Sequence, residues 1–542
     1  MKKLLLILSS VAALSSAQAQ QKGGSDTTKR TVVVTSAYKP VLKPAVKINF
    51  SAAAPITDTS KPALVYKVPP QNLFFTYQPA SLKPLALSVD TTNEWTKSNY
   101  VKVGYGNYSS PYAQVGLSFG DGKKSLLNVH ARHISQKGNL PFQQYSHTNA
   151  DLIGLYSTNE NIEWRGKVGI DRSTQYYYGY QPDTLKYSKD SLRQQFMTKS
   201  LMVGVRNKET NSFGISYDPS LSINFFTDNR KGKETNILLN APITKTINDA
   251  FSFRVGLTAD MTNYRRYSDP KVKNNLYFIT PAVLIKKPAF SLNLGIKPSW
   301  DNTDFHLLPD FSAIVKVADK PFVLQLGWIG YYNKNNYQSL AAFNPWILQP
   351  PGFKNTRVSE RFAGFKGSGG SHFTYNAKLA VISYNNLTLF ANDTADGKTF
   401  RTIYEPKAKN IQLHGEVGYT LQERFSFLAG ATINKYSGLK ENSEAWGLLP
   451  AELTGSLRLQ ILKDLQFKSD LFIWEGAQSV VKGKNVDKQK GAFDLNAGVE
   501  FTVMPKLNLW LQFNNILNNK YERWNQYQVL GFNVLGGVVY SF

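Results

Sequence analysis

Cysteine does not occur in the 542 residues. A disulfide-stapled scaffold and every thiolate-ligated metal site are excluded on that count. Histidine is scarce, with only His130, His133, His147, His306, His372 and His414. On a strand the pair His130 and His133 points to opposite faces, so it makes no metal site. No Ser-His-Asp grouping and no Gly-rich phosphate loop is legible. The reading is therefore not an enzyme, with no catalytic residue, no metal and no cofactor. After position 19 there is also no apolar run of the roughly 20 residues that a spanning helix needs, which excludes a helical membrane bundle.

What is present narrows the field. Aromatic residues make up 13%, too many for disorder throughout. Met1-Lys2-Lys3, the apolar stretch Leu4 to Leu14 and the small-x-small site Ala17-Gln18-Ala19 read as a secretory signal peptide over 1–19. Eight of the 25 prolines fall within 20–97, Lys39-Pro40, Lys43-Pro44, Lys61-Pro62 and Lys83-Pro84 among their settings. Proline fixes φ and removes a donor, so 20–97 is expected to be an extended Pro-rich N-terminal segment.

From 98 to 542 the chain alternates. Phe251, Phe253, Val255, Leu257, Ala259 and Met261 oppose Ser252, Arg254, Gly256, Thr258 and Asp260. Leu453, Leu457, Leu459 and Ile461 oppose Glu452, Thr454, Ser456, Arg458 and Gln460. Such runs suit tilted membrane strands of about 9–11 residues. A soluble sandwich alternates too, but it does not put charges of both signs on its buried face. A water-filled lumen accepts them. Short turns (158–160, 287–288, 318–320, 422–424, 463–464, 504–505) also alternate with long loops (176–194, 333–355, 437–449, 476–489), as in outer-membrane barrels.

The fold class expected is all-β: a transmembrane antiparallel up-and-down barrel of about 22 strands. The segments begin near 98, 111, 125, 147, 161, 195, 212, 234, 250, 274, 289, 306, 321, 356, 371, 409, 425, 450, 465, 491, 507 and 531. Aromatics at strand ends, including Trp164, Tyr176, Tyr177, Tyr178, Tyr264, Trp328, Tyr331, Tyr332, Trp474 and Trp510, are read as interfacial girdles. Loop aromatics Tyr337, Trp346 and Phe353 are the ligand-binding candidates, with self-packing as the other use. The net charge of +25 suits outer-membrane lipid and anionic lipopolysaccharide rather than nucleic acid.

The last strand carries Gly537, Tyr540 and the terminal Phe542, which resemble the signal read by the barrel-assembly machinery. The run Leu507-Asn508-Leu509-Trp510-Leu511-Gln512-Phe513-Asn514-Asn515-Ile516-Leu517-Asn518-Asn519-Lys520-Tyr521 resembles the penultimate strand and loop entry of TonB-dependent outer-membrane receptors. Thr31, Val32, Val33, Val34 and Thr35 resemble the TonB box, which in that family adds as a strand to the coupling protein TonB. The resemblance implies residence in the outer membrane of a Gram-negative cell. It also implies binding and uptake of a nutrient, small-molecule or oligomeric, whose identity it leaves open. The departure is the plug. Only Ala37 to Lys97 separates box from barrel, and no plug-like order of strands and helices is legible there. The chain thus resembles a barrel with a minimal or absent plug, its lumen filled by 37–97 or by a partner. A passive channel, or a barrel that scaffolds a secretion or assembly complex, stays open.

Overall fold

The structure, a computed structural model, describes residues 99–158, 161–267, 269–317, 320–393, 395–422, 424–481 and 484–542. Residues 1–19, read above as a signal peptide, the Pro-rich segment and Thr31 to Thr35 lie outside the described residues.

Twenty-two antiparallel strands form one closed barrel. Each pairs with its neighbours in sequence, and the first strand, Tyr100–Gly106, closes the ring against the last, Asn533–Ser541. Closure leaves no unpaired edge, the condition for strands in lipid. The seventh strand is interrupted. Its pieces Ile215–Tyr217 and Ser220–Asp228 both pair with Lys233–Thr246, and the break falls at Asp218-Pro219, where proline has no donor for the ladder. Asp218 uses the break to pair with Arg165.

Alternation sorts the side chains as expected. Leu201, Leu239, Leu257, Ile279, Leu294, Leu326, Leu379 and Leu413 lie exposed on the outside and form an apolar band. Inside, Arg254 Nη2 lies 3.4 Å from Asp310 Oδ2, Lys167 Nζ 3.0 Å from Asp151 Oδ1, and Lys378 Nζ 2.8 Å from Glu360 Oε1. His130 faces inward on Gln114, while His133 faces outward on Thr148.

Two strands are far longer than a bilayer crossing requires. Phe373–Asn392 has 20 residues and Phe400–Leu421 has 22, against about 9–11 for a tilted span. Their outer halves project as a hairpin beyond the apolar band. This also explains the largest misplaced boundary, a strand start at 400 rather than near 409. Residues 400–409 carry Arg401, Glu405, Lys407 and Lys409, so no lipid-facing alternation marks them.

The aromatic girdle is smaller than the sequence suggested. Trp164 and Trp328 do lie exposed on the outer wall. Tyr264, Trp474 and Trp510 are buried inside. For Trp510 the alternation itself held the signal, since it shares a face with Asn508 and Gln512. Its indole crosses two glycines at the seam where the barrel closes, Gly537 of the last strand and Gly104 of the first. A Cβ at Gly104 would collide with the indole. It reaches Tyr112 on the second strand (centroids 5.4 Å) and donates from Nε1 to the Val103 carbonyl at 3.2 Å. The Lys102 ammonium sits 4.3 Å from its ring centroid.

Candidate functional site: an aromatic cap over the outer mouth

The long loops share one end of the barrel, 177–192, 334–355, 393–399, 438–450, 475–491 and 515–532. By the usual asymmetry this is the external end. These loops interlock. Loops 177–192 and 393–399 are rooted ten strands apart in a ring of 22, yet Gln181 N donates to the Asp396 carbonyl at 2.9 Å and Tyr187 donates to the Asp396 carboxylate at 2.5 Å. Tyr178 donates to the Gln528 carbonyl at 2.8 Å, and Tyr527 donates to the Lys398 carbonyl. Trp346 stacks on Tyr527 with centroids 3.9 Å apart. Loops from opposite walls therefore meet over the lumen.

The centre of this cap is apolar. Tyr337, Leu340, Phe343 and Ile347 pack with Phe390, Phe400, Trp446, Trp524 and Tyr527, and with the inward side chains Phe196, Phe226, Tyr264 and Tyr384 of the wall. Arg523 is buried among them, 4.4 Å over Trp524, with Nη1 donating to the Gly447 carbonyl at 3.1 Å.

Loop 334–355 supplies the middle piece. It contains a short helix, Tyr337–Phe343, with a capping box in which Asn336 accepts from Ser339 N and Ser339 accepts from Asn336 N. The loop is rooted between the thirteenth and fourteenth strands but is tied to the inner wall of the seventh to tenth. Glu234 accepts from Tyr337 N at 2.6 Å and Gln338 N at 3.1 Å. Tyr337 donates to the Asp228 carboxylate at 2.7 Å, and so does Gln349 Nε2 at 2.7 Å. Lys334 Nζ reaches Asp260 Oδ1 at 3.2 Å and the Asn274 carbonyl at 2.6 Å. Burial lowers the Lys334 ammonium below the ordinary lysine value, and Asp260 opposes that shift. Burial raises the Tyr337 hydroxyl well above the tyrosine range, as does the nearby Asp228 carboxylate, so it stays a donor.

Of the loop candidates, Tyr337 has no accessible surface, while Trp346 and Phe353 are partly buried against the cluster. Phe353 lies against Tyr264, centroids 5.1 Å apart. The structure thus brings all three into one assembly, with Tyr337 as its anchor on the wall. The sequence reading missed the partners Phe390, Phe400, Trp446, Trp524 and Tyr527. The density of aromatics in 521–527 was the available sign. Gly537 stands opposite Trp510 in register, where a Cβ would meet the Val103 carbonyl of the first strand, and Tyr540 and Phe542 stack on the outer surface at the opposite end, centroids 6.0 Å apart. The asparagine run after the penultimate strand is a side-chain-knotted turn. Asn515 and Asn518 adopt left-handed φ, and the Asn515 amide binds the Asn519 and Leu530 carbonyls. Among the described residues no cluster of three metal-ligating side chains occurs.

No family model matches the sequence, and no curated protein matches it significantly. Solved structures do. The FrpB iron transporter from Neisseria meningitidis (F3-3 variant) superposes with a TM-score of 0.63 at 13% identity, over 83% of this chain and 82% of that one. The copper transporter OprC gives 0.61 at 12% identity, over 83% and 81%. The siderophore receptor PirA from Pseudomonas aeruginosa gives 0.57 at 13% identity, over 82% and 79%. The fold is that of the 22-stranded TonB-dependent receptor barrel. These neighbours are transporters and receptors rather than enzymes.

Proposed function

We propose that this chain is an outer-membrane receptor barrel of the TonB-dependent type, which binds a nutrient at the capped outer mouth and passes it inward. One observation carries the reading. Loops rooted on opposite walls form a continuous aromatic cap over a barrel whose structural neighbours handle iron, copper and siderophores. Trp346 and Phe353, which keep some exposed surface, are the ligand-contacting aromatics of this reading. Tyr337 holds the loop in place and meets ligand only when the loop leaves the wall. Thr31 to Thr35 is the segment offered to TonB, and Gly537, Tyr540 and Phe542 are presented to the barrel-assembly machinery. No catalysis is assigned.

The test is crosslinking of the full-length protein to the periplasmic domain of TonB. Val33→Pro removes one donor from the added strand and should abolish the contact, whereas Val33→Thr should preserve it. No contact by the wild type, with normal growth of Val33→Pro on limiting nutrients, would overturn energised uptake in favour of a passive channel.

A further inference from the structure

The outer wall carries charge of one sign. Every Asp and Glu of the barrel strands shares the inward register, Glu405 excepted, and Glu405 is committed to the backbone amides of Lys440, Glu441 and Asn442. Cations are not sorted this way, and many point outward at the external rim. Four of them stand together on the fourteenth to seventeenth strands.

Register fixes their arrangement. Arg361, Val381, Ile411 and Lys435 lie side by side in one outward row. Ser359, Ser383, Lys409 and Ser437 form the next row, and Lys407 stands one step further out, beside Asn385. All four cations are exposed. None has an ion-pair partner among the described residues. Arg361 rests on the exposed Trp328, 4.9 Å from its ring centroid, and Trp328 Nε1 donates to Ser359 Oγ at 3.1 Å. Val381 and Ile411 sit within the patch's own row, and the next outward row toward the periplasm holds the exposed apolar side chains Leu379, Leu413 and Ile433. The patch therefore stands where the apolar band meets the headgroups of the outer leaflet. Of the neighbouring acids, Glu360 turns into the barrel and pairs with Lys378, Glu405 is held by the loop amides, and Glu441 and Glu444 belong to the loop beyond the strand ends.

We propose that Arg361, Lys407, Lys409 and Lys435 form a binding site for the phosphates of lipopolysaccharide. The charge is complementary, the serine hydroxyls add neutral donors between the cations, and the apolar wall below receives acyl chains. Arg361 and Lys435 are three inter-strand spacings apart, about 14 Å, a span suited to a disaccharide phosphorylated at both ends. Four cations at one interface make the attraction strong and salt-dependent. This site is on the lipid-facing wall and does not depend on uptake through the lumen.

The test uses the full-length protein in detergent and bisphosphorylated lipid A as probe. The variant R361Q/K407Q/K409Q/K435Q is compared with K123Q/K124Q/K208Q/K463Q, which removes as many cations from the periplasmic turns. Both must show heat-modifiable migration, the sign of a folded barrel. The rim variant should bind at least about tenfold more weakly, and the turn variant should match wild type. Lipid A stripped of both phosphates should bind the wild type as weakly as the rim variant binds the intact probe. Equal binding by the two variants, or full binding of the stripped probe, would overturn the assignment.

Discussion

The lumen has two chemistries. In its outer part the inward side chains Phe196, Phe226, Tyr264 and Tyr384 are buried under loops. Nearer the periplasm, inward positions hold partly exposed pairs such as Arg254 with Asp310 and Lys167 with Asp151. One strand period serves both. What changes is the neighbour of the inward face: packed loops in the outer part, and open space among the described residues below it. Inward polarity is therefore no fixed property of a barrel strand. It follows whichever medium the strand faces at that height.

The contrast breaks most completely if the cap is removed. Replacing 337–353 by a short Gly/Ser linker should convert a nearly closed barrel into an open one, with conductance at least that of a porin of about 16–18 strands. Planar-bilayer recordings should compare the replacement with and without residues 20–97, because only the double change removes both possible stoppers. A closed double variant would show that the cap is not the outer seal.

A smaller effect separates the two faces of one strand. Leu457→Arg places a cation in the apolar band and should cost about 2–4 kcal/mol. Ser456→Arg points into the lumen, with Asp470 directly across in register, and should cost little. Unfolding midpoints in denaturant would compare them, and equal losses would invert the facing assigned here.

Within the cap, Tyr337→Phe keeps the ring and removes the donor to Asp228. The loss should be about 1.5–3 kcal/mol of local stability, read as faster hydrogen exchange in 334–355 while the barrel strands remain protected.

The smallest effect is acid sensitivity of the Tyr187, Asp396 and Lys398 clasp. Burial pushes the Asp396 carboxyl up, but hydrogen bonds from Lys398 and Tyr187 outweigh it, and the group ends below its ordinary 3.8. A carboxyl lowered by folding stabilises fully above its ordinary value, and that contribution disappears as pH falls through the lowered one. Proteolysis of loops 177–192 and 393–399 should therefore be constant from pH 7 to 5 and rise only below about pH 4. Asp396→Asn should remove the step.

Much of the barrel was legible because lipid imposes alternation on every crossing. The expected start near 425 is Phe425, that near 465 is Leu465, and that near 507 is Leu507. The cap was not legible for the opposite reason. Its contacts join residues such as Tyr178 and Tyr527, hundreds of positions apart, and loops obey no period. Even the helix Tyr337–Phe343 is held by Glu234, about a hundred residues earlier in the chain. Trp510 was misassigned for a subtler reason. An interfacial and a lumenal tryptophan look alike in composition, and only the parity of the strand separates them.

That tryptophan has a consequence for assembly. Joining the first strand to the last is the one pairing that no hairpin turn dictates, so its alignment must be selected. A shift by one residue would turn Val103 inward. A shift by two, bringing Lys102 opposite Gly537, would set a side chain in the space the indole occupies at Gly104. The indole thus acts as a gauge that a correctly aligned seam passes and those two errors fail. Trp510→Ala should leave barrels that close but are mixed in alignment.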